Sequence, residues 1–156
     1  LKNDLHETPL DDPDLWKLNP MMFYRSSLKS LQEWRNNLDT YVTYDEETKC
    51  VVEDTRLAEF KKGVFDRFYI YLKFPSAAYG LSLRLSDEDE ARIGIGSNIF
   101  HKDRCKVDIG KLCKTVGNKF GKGSGGGHYN VGGCTVKADK LDDAKEFILQ
   151  SLKHSQ

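Results

Sequence analysis

The chain has 156 residues, of which 38% are hydrophobic, and 24 Lys and Arg balance 24 Asp and Glu. That length and apolar content are enough for one globular domain with its own core, so disulfide or metal staples are not needed to explain folding. A formal net charge of zero excludes a basic field over the whole chain, so any anion site must come from local clustering.

The cysteines indicate the compartment. Cys50, Cys105, Cys113 and Cys134 include no CxxC pair, and such sparse cysteines are typical of free thiols in a reducing environment. There is no long apolar run and no signal-peptide pattern. We therefore expect a cytoplasmic protein without a membrane partner. Because the sequence begins at Leu1 rather than Met, we also expect a longer parent chain.

The N-terminal part predicts a linker followed by a helix. Residues 1–18 are acidic and polar, as in a loose linker, and Asn19 and Pro20 are typical of a helix start. Apolar residues then recur at steps of three and four, which predicts a helix ending near Asn37; they are Tyr24, Leu28, Leu31, Trp34 and Leu38. We therefore assign residues 1–48 to a linker and helical lead-in, and residues 49–156 to the functional domain.

Alternation predicts most of the sheet. Residues 40–54 predict two short strands around a turn at residues 45–47, and a short polar helix is expected near residues 56–62. Residues 68–74, 81–86 and 92–96 alternate apolar with other side chains, which predicts three more strands, with an acidic turn at 87–90. On the strand predicted at 68–74, Tyr69 and Tyr71 share a face that could stack bases, although we favour packing under the N-terminal helix.

The C-terminal half predicts a helix, a glycine-rich loop, a strand and a last helix. Asp108 is placed to cap a short helix with its apolar face ending at Val116, and the loop covers residues 117–128. A strand at 131–138 precedes a helix capped by Asp139, with Leu141, Ala144, Ile148 and Leu152 facing inward. The order predicts an α/β fold in which a mixed β-sheet is flanked by helices, after an N-terminal helical lead-in.

The glycine-rich segment is the main candidate site. Eight of the 13 glycines fall between Gly117 and Gly133. Three consecutive glycines at 125–127 allow neighbouring backbone N–H groups to turn toward one anion, and His128 adds a donor or a positive charge. Lysines and arginines between residues 102 and 122 make the surroundings basic. The pattern predicts a phosphate site; a disordered linker is the alternative and stays open for residues 117–124.

Three named motifs fail here. Residues 121–126 satisfy G-x-G-x-x-G literally, but a helix rather than a strand precedes them. A Walker A loop needs four residues between its first glycine and the Gly-Lys pair, but only three separate Gly117 from Gly121-Lys122. It also needs a Ser or Thr directly after the lysine, and Gly123 stands there. The spacing of His101, Cys105, His128 and Cys134 is irregular for zinc.

Residues 107–112, a short helix and the run Gly-Gly-Gly-His-x-x-x-Gly-Gly at 125–133 together resemble the DHHA1 domain. That domain is the C-terminal partner of the catalytic domain in DHH-family phosphoesterases. Residues 92–100 resemble the strand that precedes this motif in the exopolyphosphatase-related branch, and residues 67–75 resemble the strand that begins the domain. The resemblance covers roughly residues 50–156.

The resemblance implies a substrate-binding role for this motif. His128 and the backbone of residues 125–127 would hold a substrate phosphate against the catalytic domain, with Asn130, Gly132 and Gly133 shaping the turn. Many family members carry an arginine where this chain has Gly96-Ser97, and residues 118–124 look like an insertion. Arg84, Lys102 and Arg104 are the candidates to supply that charge. The predicted substrate-binding set is Gly125, Gly126, Gly127, His128, Asn130, Arg84, Lys102 and Arg104.

The sequence holds no Asp-His-His triplet and no dense Asp/His cluster, so the ligands of a two-metal phosphoesterase centre are missing from it. We expect no catalytic residue, metal ligand or cofactor in this chain, and no hydrolysis by this chain alone. The resemblance implies manganese or magnesium in a DHH catalytic domain of the same parent chain.

The predicted function is therefore substrate binding for a metal-dependent phosphoesterase that acts on short single-stranded nucleic acid or nucleotide phosphates. RNA, single-stranded DNA, pAp and polyphosphate stay open as substrates, and so does the oligomeric state. Two alternatives remain: a stand-alone nucleic-acid-binding module and a degenerate interaction domain.

Overall fold

The structure is a computed structural model that describes residues 28–29, 31–57, 68–86 and 89–154. The chain divides into two compact units, residues 1–38 with 62–66 and residues 39–61 with 67–156. In the first unit, residues 28–29 and 31–36 are helical, which confirms that part of the N-terminal helix, and Trp34 is buried. The predicted linker and the helix start at Asn19 lie outside the described residues.

The sheet belongs to the second unit. Its strands are β1 (Val42–Asp45), β2 (Cys50–Asp54), β3 (Tyr79–Leu85), β4 (Glu90–Ser97), β5 (Gly125–His128) and β6 (Val131–Lys137). The labelled helices are α1 (Leu38–Tyr41), α2 (Tyr69–Lys73), α3 (Ile109–Phe120) and α4 (Leu141–Lys153). None of the described helices has the length and apolarity needed to cross a membrane.

The six strands form one mixed sheet in the order β1-β2-β3-β4-β6-β5. β2 and β3 run parallel, and every other neighbouring pair is antiparallel. This confirms the predicted fold class, a mixed sheet flanked by helices. The paired strands β1 and β2 are also as predicted. The predicted boundary after residue 48 stays a prediction, while the sheet itself begins at Val42.

One face of the sheet and two helices form the core. Leu81 and Leu83 of β3 and Ile93 and Ile95 of β4 are buried there, as their alternation predicts. The inward residues predicted for α4 are all fully buried; they are Leu141, Ala144, Ile148 and Leu152. Burying a large aliphatic side chain contributes about 1.5–3 kcal/mol, so α4 is held mainly by its apolar face.

Helix α3 begins as predicted but ends later. The Lys111 N–H donates to the Asp108 carboxylate at 3.0 Å, and this bond lowers the pKa of Asp108. The helix then continues through Gly117 to Phe120, into the segment predicted to be loop. A Cβ on Gly117 would lie 2.3 Å from the Ser124 carbonyl oxygen, so this glycine permits a close approach rather than ending the helix.

The strand predicted at residues 68–74 is wrong, because this segment contains α2. The Phe74 N–H donates to the Ile70 carbonyl at 2.8 Å, a helical bond. The adjacent residues Ile70 and Tyr71 are both buried, which the alternation of a half-buried strand does not allow. The period-two pattern is short and rich in aromatic residues, and packing overrides it.

The caps of the last helix also differ from the prediction. Residues Ala138–Lys140 form a 3-10 turn, so Lys140 rather than Asp139 precedes α4, and it makes no capping bond through its side chain. Asp142 and Asp143 lie in the first turn, where carboxylates favour the positive end of the helix dipole. Of the helix expected near residues 56–62, the structure describes only the start of the segment, where Thr55–Leu57 form a 3-10 turn, and residues 58–62 lie outside the described residues.

Candidate functional site

The sheet face opposite the core carries unusually small side chains. Directly paired residues of an antiparallel ladder point to the same face, so the strand register aligns three rows on this face. The rows are Gly80–Gly96–Val131–His128, Ser82–Gly94–Gly133–Gly126 and Arg84–Arg92–Thr135. We call the small residues in the middle, Ser82, Gly94, Gly96, Gly126 and Gly133, the glycine platform.

Helix α2 covers this face beside the platform. A Cβ on Gly80 would lie 2.8 Å from both Ile70 Cδ1 and the Tyr71 hydroxyl, so α2 packs directly on this strand. The Tyr71 hydroxyl donates to the Gly96 carbonyl at 3.1 Å, and burial raises the pKa of Tyr71. Tyr71 therefore anchors α2 to β4 and is not placed to stack a base.

A groove of about 630 Å³ lies over the part of the platform on β3 and β4. Apolar side chains of α2 and Ile99 line it, and Asn130 and Val131 line it where the β5–β6 hairpin begins. Among the described residues, the charged side chains that line it are three cations and one acid: Arg84, Arg92, Lys102 and Glu53. The groove is therefore basic although the chain has no net charge.

The glycine run at 125–127 does not form the compact anion nest that the sequence suggests. Residues Gly125–His128 form β5, an edge strand paired with β6. The Thr135 N–H donates to the Ser124 carbonyl at 2.9 Å. Because bonded and non-bonded pairs alternate along an antiparallel ladder, Gly126 and His128 bond to β6 while the amides of Gly125 and Gly127 point away from it. Successive N–H groups thus point to alternate edges instead of converging.

Gly126 and His128 present an open surface on the platform side. A Cβ built on Gly126 would meet no atom within 4 Å, and the His128 side chain is exposed. A ligand lying on the platform can therefore reach the imidazole and the bare Cα of Gly126 without displacing any described group.

Helix α3 holds β5 from the other face. A Cβ on Gly110 would lie 2.6 Å from the Gly127 carbonyl oxygen, and Gly127 itself has φ +150, which favours glycine. The Ile109 N–H donates to the Tyr129 carbonyl at 3.0 Å, which ties the start of α3 to the hairpin turn. These contacts fix the position of His128 at the end of β5.

Five of the predicted binding residues lie on one side of the sheet, and Gly126 of the platform is one of them. Arg84, Lys102 and Asn130 line the groove, and His128 shares the face of Val131 on the neighbouring strand. Arg104 does not line the groove; its guanidinium donates to the Pro75 carbonyl at 2.6 Å. Arg92 also lines the groove and is not among the predicted residues, although its alternation with Ile93 and Ile95 already placed it opposite the core.

The described residues do not fit a two-metal centre. Within residues 28–29, 31–57, 68–86 and 89–154, no three His, Cys, Asp or Glu side chains come close enough to hold a metal ion. His128 and Lys102 are exposed on the surface instead, where they can contact an anion.

No protein-family model matches the chain, and no curated protein matches it in sequence. Solved structures do resemble it. The pGpG-specific phosphodiesterase PggH from Vibrio cholerae aligns with a TM-score of 0.72 and 16% identity, over 99% of this chain and 49% of that protein. The DHH domain protein from the s1p family of ribosomal proteins aligns with a TM-score of 0.61 and 14% identity, over 94% of this chain and 36% of that one.

The chain thus spans about half of the first of these proteins and about a third of the second. At these identities the likeness shows the fold alone. The chain has an α/β fold shared with part of a pGpG-specific phosphodiesterase and with part of a DHH-domain protein.

Proposed function

We propose that this chain is the substrate-binding part of a DHH-type phosphoesterase. It binds the phosphate groups of a short nucleic acid or a nucleotide on the glycine platform through the His128 side chain, and the missing side chain of Gly126 leaves room for the ligand beside it. Hydrolysis belongs to a metal-dependent catalytic part of the same parent protein.

The observation that carries this proposal is the alignment of Gly126 and His128 with the platform on a basic face of the sheet. Glycine leaves the backbone accessible to a ligand, and a histidine at the end of an edge strand supplies a donor beside it. The likeness to a pGpG-specific phosphodiesterase supports the same substrate class, nucleotides with phosphate groups.

Different residues contact different groups of the ligand. The His128 imidazole donates to a phosphate oxygen, and the Lys102 ammonium and the Asn130 amide contact the same ligand from the groove end. The apolar wall made by Phe68 and Ile70 of the α2 region contacts the sugar or the base. Manganese or magnesium, in the catalytic part, would supply Lewis-acid chemistry, and no described residue is assigned to that metal.

The test is a calorimetric titration of the 156-residue chain with a 5′-phosphorylated dinucleotide and with pAp. One charge-assisted hydrogen bond is worth about 1.5–3 kcal/mol. His128→Ala should therefore weaken binding by about ten- to a hundredfold. Its fold should persist, because the side chain is exposed.

His154→Ala is the matched control, because His154 is also exposed and lies beyond α4. It should bind like the wild type. Equal affinity of wild type and His128→Ala, or no binding of either ligand at millimolar concentration, would overturn the proposed site. An affinity that rises with the length of the oligonucleotide and does not depend on His128 would favour a stand-alone nucleic-acid-binding module.

A further inference from the structure

Two thiols meet in the core behind β5. Cys113 lies on α3 and Cys134 on β6, and both side chains are buried in the same hydrophobic cluster. The two thiols are hydrogen-bonded to each other, and this bond lowers the pKa of Cys113 and raises the pKa of Cys134. Cys134 is therefore the donor and Cys113 the acceptor, which makes Cys113 the more nucleophilic sulfur of the pair.

Glycines on β5 and β6 leave the space in which these sulfur atoms meet. Gly125 is the cross-strand partner of Cys134, and a Cβ on Gly125 would lie 2.9 Å from the Cys134 Cβ. A Cβ on Gly132 would lie 3.0 Å from the Cys113 Sγ. A side chain at either position would therefore crowd the thiol pair.

The other two cysteines bond to the main chain instead. The Cys50 thiol donates to the Val51 carbonyl at 3.8 Å, and the Cys105 thiol donates to the Val107 carbonyl at 3.4 Å. Both are as buried as the pair. Burial alone thus does not distinguish the four cysteines, whereas a sulfur–sulfur contact between α3 and β6 distinguishes Cys113 and Cys134.

We propose that Cys113 and Cys134 form a thiol-oxidation site, at which hydrogen peroxide produces a reversible disulfide between α3 and β6. The Cys113 sulfur attacks one peroxide oxygen and the O–O bond breaks, which leaves a sulfenic acid and a water that takes the Cys113 thiol proton. The Cys134 sulfur then attacks the Cys113 sulfur and the S–O bond breaks, so the hydroxyl leaves as a second water with the Cys134 proton. Two electrons pass from the sulfur pair to the peroxide, and a dithiol reductant returns them.

The edge strand β5 controls access to this pair and lies within the loop that the disulfide would close. β5 has four residues, of which three are glycines, and short edge strands of this kind open locally at low cost. Hydrogen peroxide is little larger than water, so a small opening admits it and excludes a dye. Residues 113–134 include all of β5, so the disulfide would tie the strand that carries His128 to the core.

The experiment treats the 156-residue chain with hydrogen peroxide in the native state and in urea, alkylates the remaining thiols after unfolding, and maps the tryptic peptides. In the native chain the intact mass before alkylation should fall by two hydrogen atoms and recover with dithiothreitol. Residues 112–114 should be linked to residues 123–137. In urea the link between Cys105 and Cys113 should become the more abundant one, because these two are closer in sequence and shorter loops close more readily.

Cys50→Ala is the matched control, because it removes a buried thiol outside the pair and should keep the native link. Cys134→Ala should abolish the link and leave a Cys113 sulfenic acid that dimedone traps. Four free thiols in the native chain, after a treatment that oxidises the unfolded chain, would overturn the proposal, and so would a native link through Cys50 or Cys105. The wild-type map alone decides between these outcomes, and it involves no phosphate ligand, so its result is independent of the proposed function.

Discussion

Gly117→Ala should destabilise the protein, even though alanine is the better helix former. Gly117 lies inside α3, and the backbone of Ser124 occupies the space where a Cβ of residue 117 would be. A Cβ there would lie 2.3 Å from the Ser124 carbonyl oxygen and 2.8 Å from the carbonyl carbon, whereas real Cβ atoms essentially never come within 3.0 Å. Both neighbours are backbone atoms, so no rotamer change relieves the contact.

The size of the effect follows from two opposing contributions. Overpacking costs about 1–3 kcal/mol, and a contact of 2.3 Å with backbone atoms places Gly117→Ala in the upper part of that range, at about 2–3 kcal/mol. Replacing a helical glycine by alanine returns about 1 kcal/mol. We expect a net loss of about 1–2 kcal/mol in the free energy of unfolding. For a chain of this size the loss corresponds to a fall in Tm of about 2–8 °C.

Urea denaturation followed by circular dichroism measures this loss. Gly126→Ala is the matched control, because a Cβ at Gly126 meets nothing within 4 Å, so this substitution should leave the midpoint unchanged or raise it slightly. A Gly117→Ala protein as stable as the wild type, or more stable, would refute the close packing of α3 on residues 124–125.

Three further predictions concern stability and thiol chemistry. Arg56→Gln should lower the free energy of unfolding by about 1–3 kcal/mol in urea denaturation, because the guanidinium bonds both Asp54 and Asp142, at 2.6 and 2.7 Å; an unchanged midpoint would contradict the bridge between β2 and α4. Arg56 lowers the pKa of Asp142, so this contribution is present above the unfolded value of about 3.9 and is lost as the pH falls. The stability difference between wild type and Asp142→Asn, about 0.2–1 kcal/mol for so exposed a carboxylate, should therefore shrink between pH 6 and pH 3, and a difference that grew would reverse the argument. All four cysteines are buried, and burial raises the pKa of Cys50, so a maleimide dye should label the chain only after unfolding; rapid labelling of the native protein would be incompatible with this core.

Alternation and caps predicted the parts of the fold whose side chains face a core. Leu81 and Leu83 alternate with Ser82 and Arg84, and this pattern is enough to place β3 with its apolar side inward. Asp108 predicted the start of α3 because a carboxylate that accepts from the third helical residue is a local feature. Such signals depend on neighbours in the sequence, so the sequence shows them.

The failures have a different physical origin. Gly125–Gly127 carry no side chains and hence no periodicity, so nothing in them distinguishes an edge strand from a loop. Residues 68–74 alternate by chance within one and a half turns of helix, and the contact of Ile70 and Tyr71 with Gly80 decides their conformation. Neither the pairing of Gly125–Gly127 at the sheet edge nor the packing of residues 68–74 on Gly80 leaves a pattern in a single sequence.

Only the part of the candidate site that depends on neighbours in the sequence was predicted. His128 stands out in the sequence because it ends the glycine run. Arg92 does not stand out, because it lies 36 positions earlier and shares a face with His128 only through the pairing of β4, β6 and β5. The strand order, in which β6 lies between β4 and β5, places both residues on one face of the sheet.

The most direct test of the central claim is an amide NMR titration of the 156-residue chain with a 5′-phosphorylated dinucleotide. We expect the amide signals of the platform glycines, Gly94, Gly96, Gly126 and Gly133, to shift together with that of His128. The amides of Gly110 and Gly117, on α3 behind the sheet, should stay within error. Shifts confined to α3, or no platform shift at millimolar ligand, would contradict phosphate binding on this face.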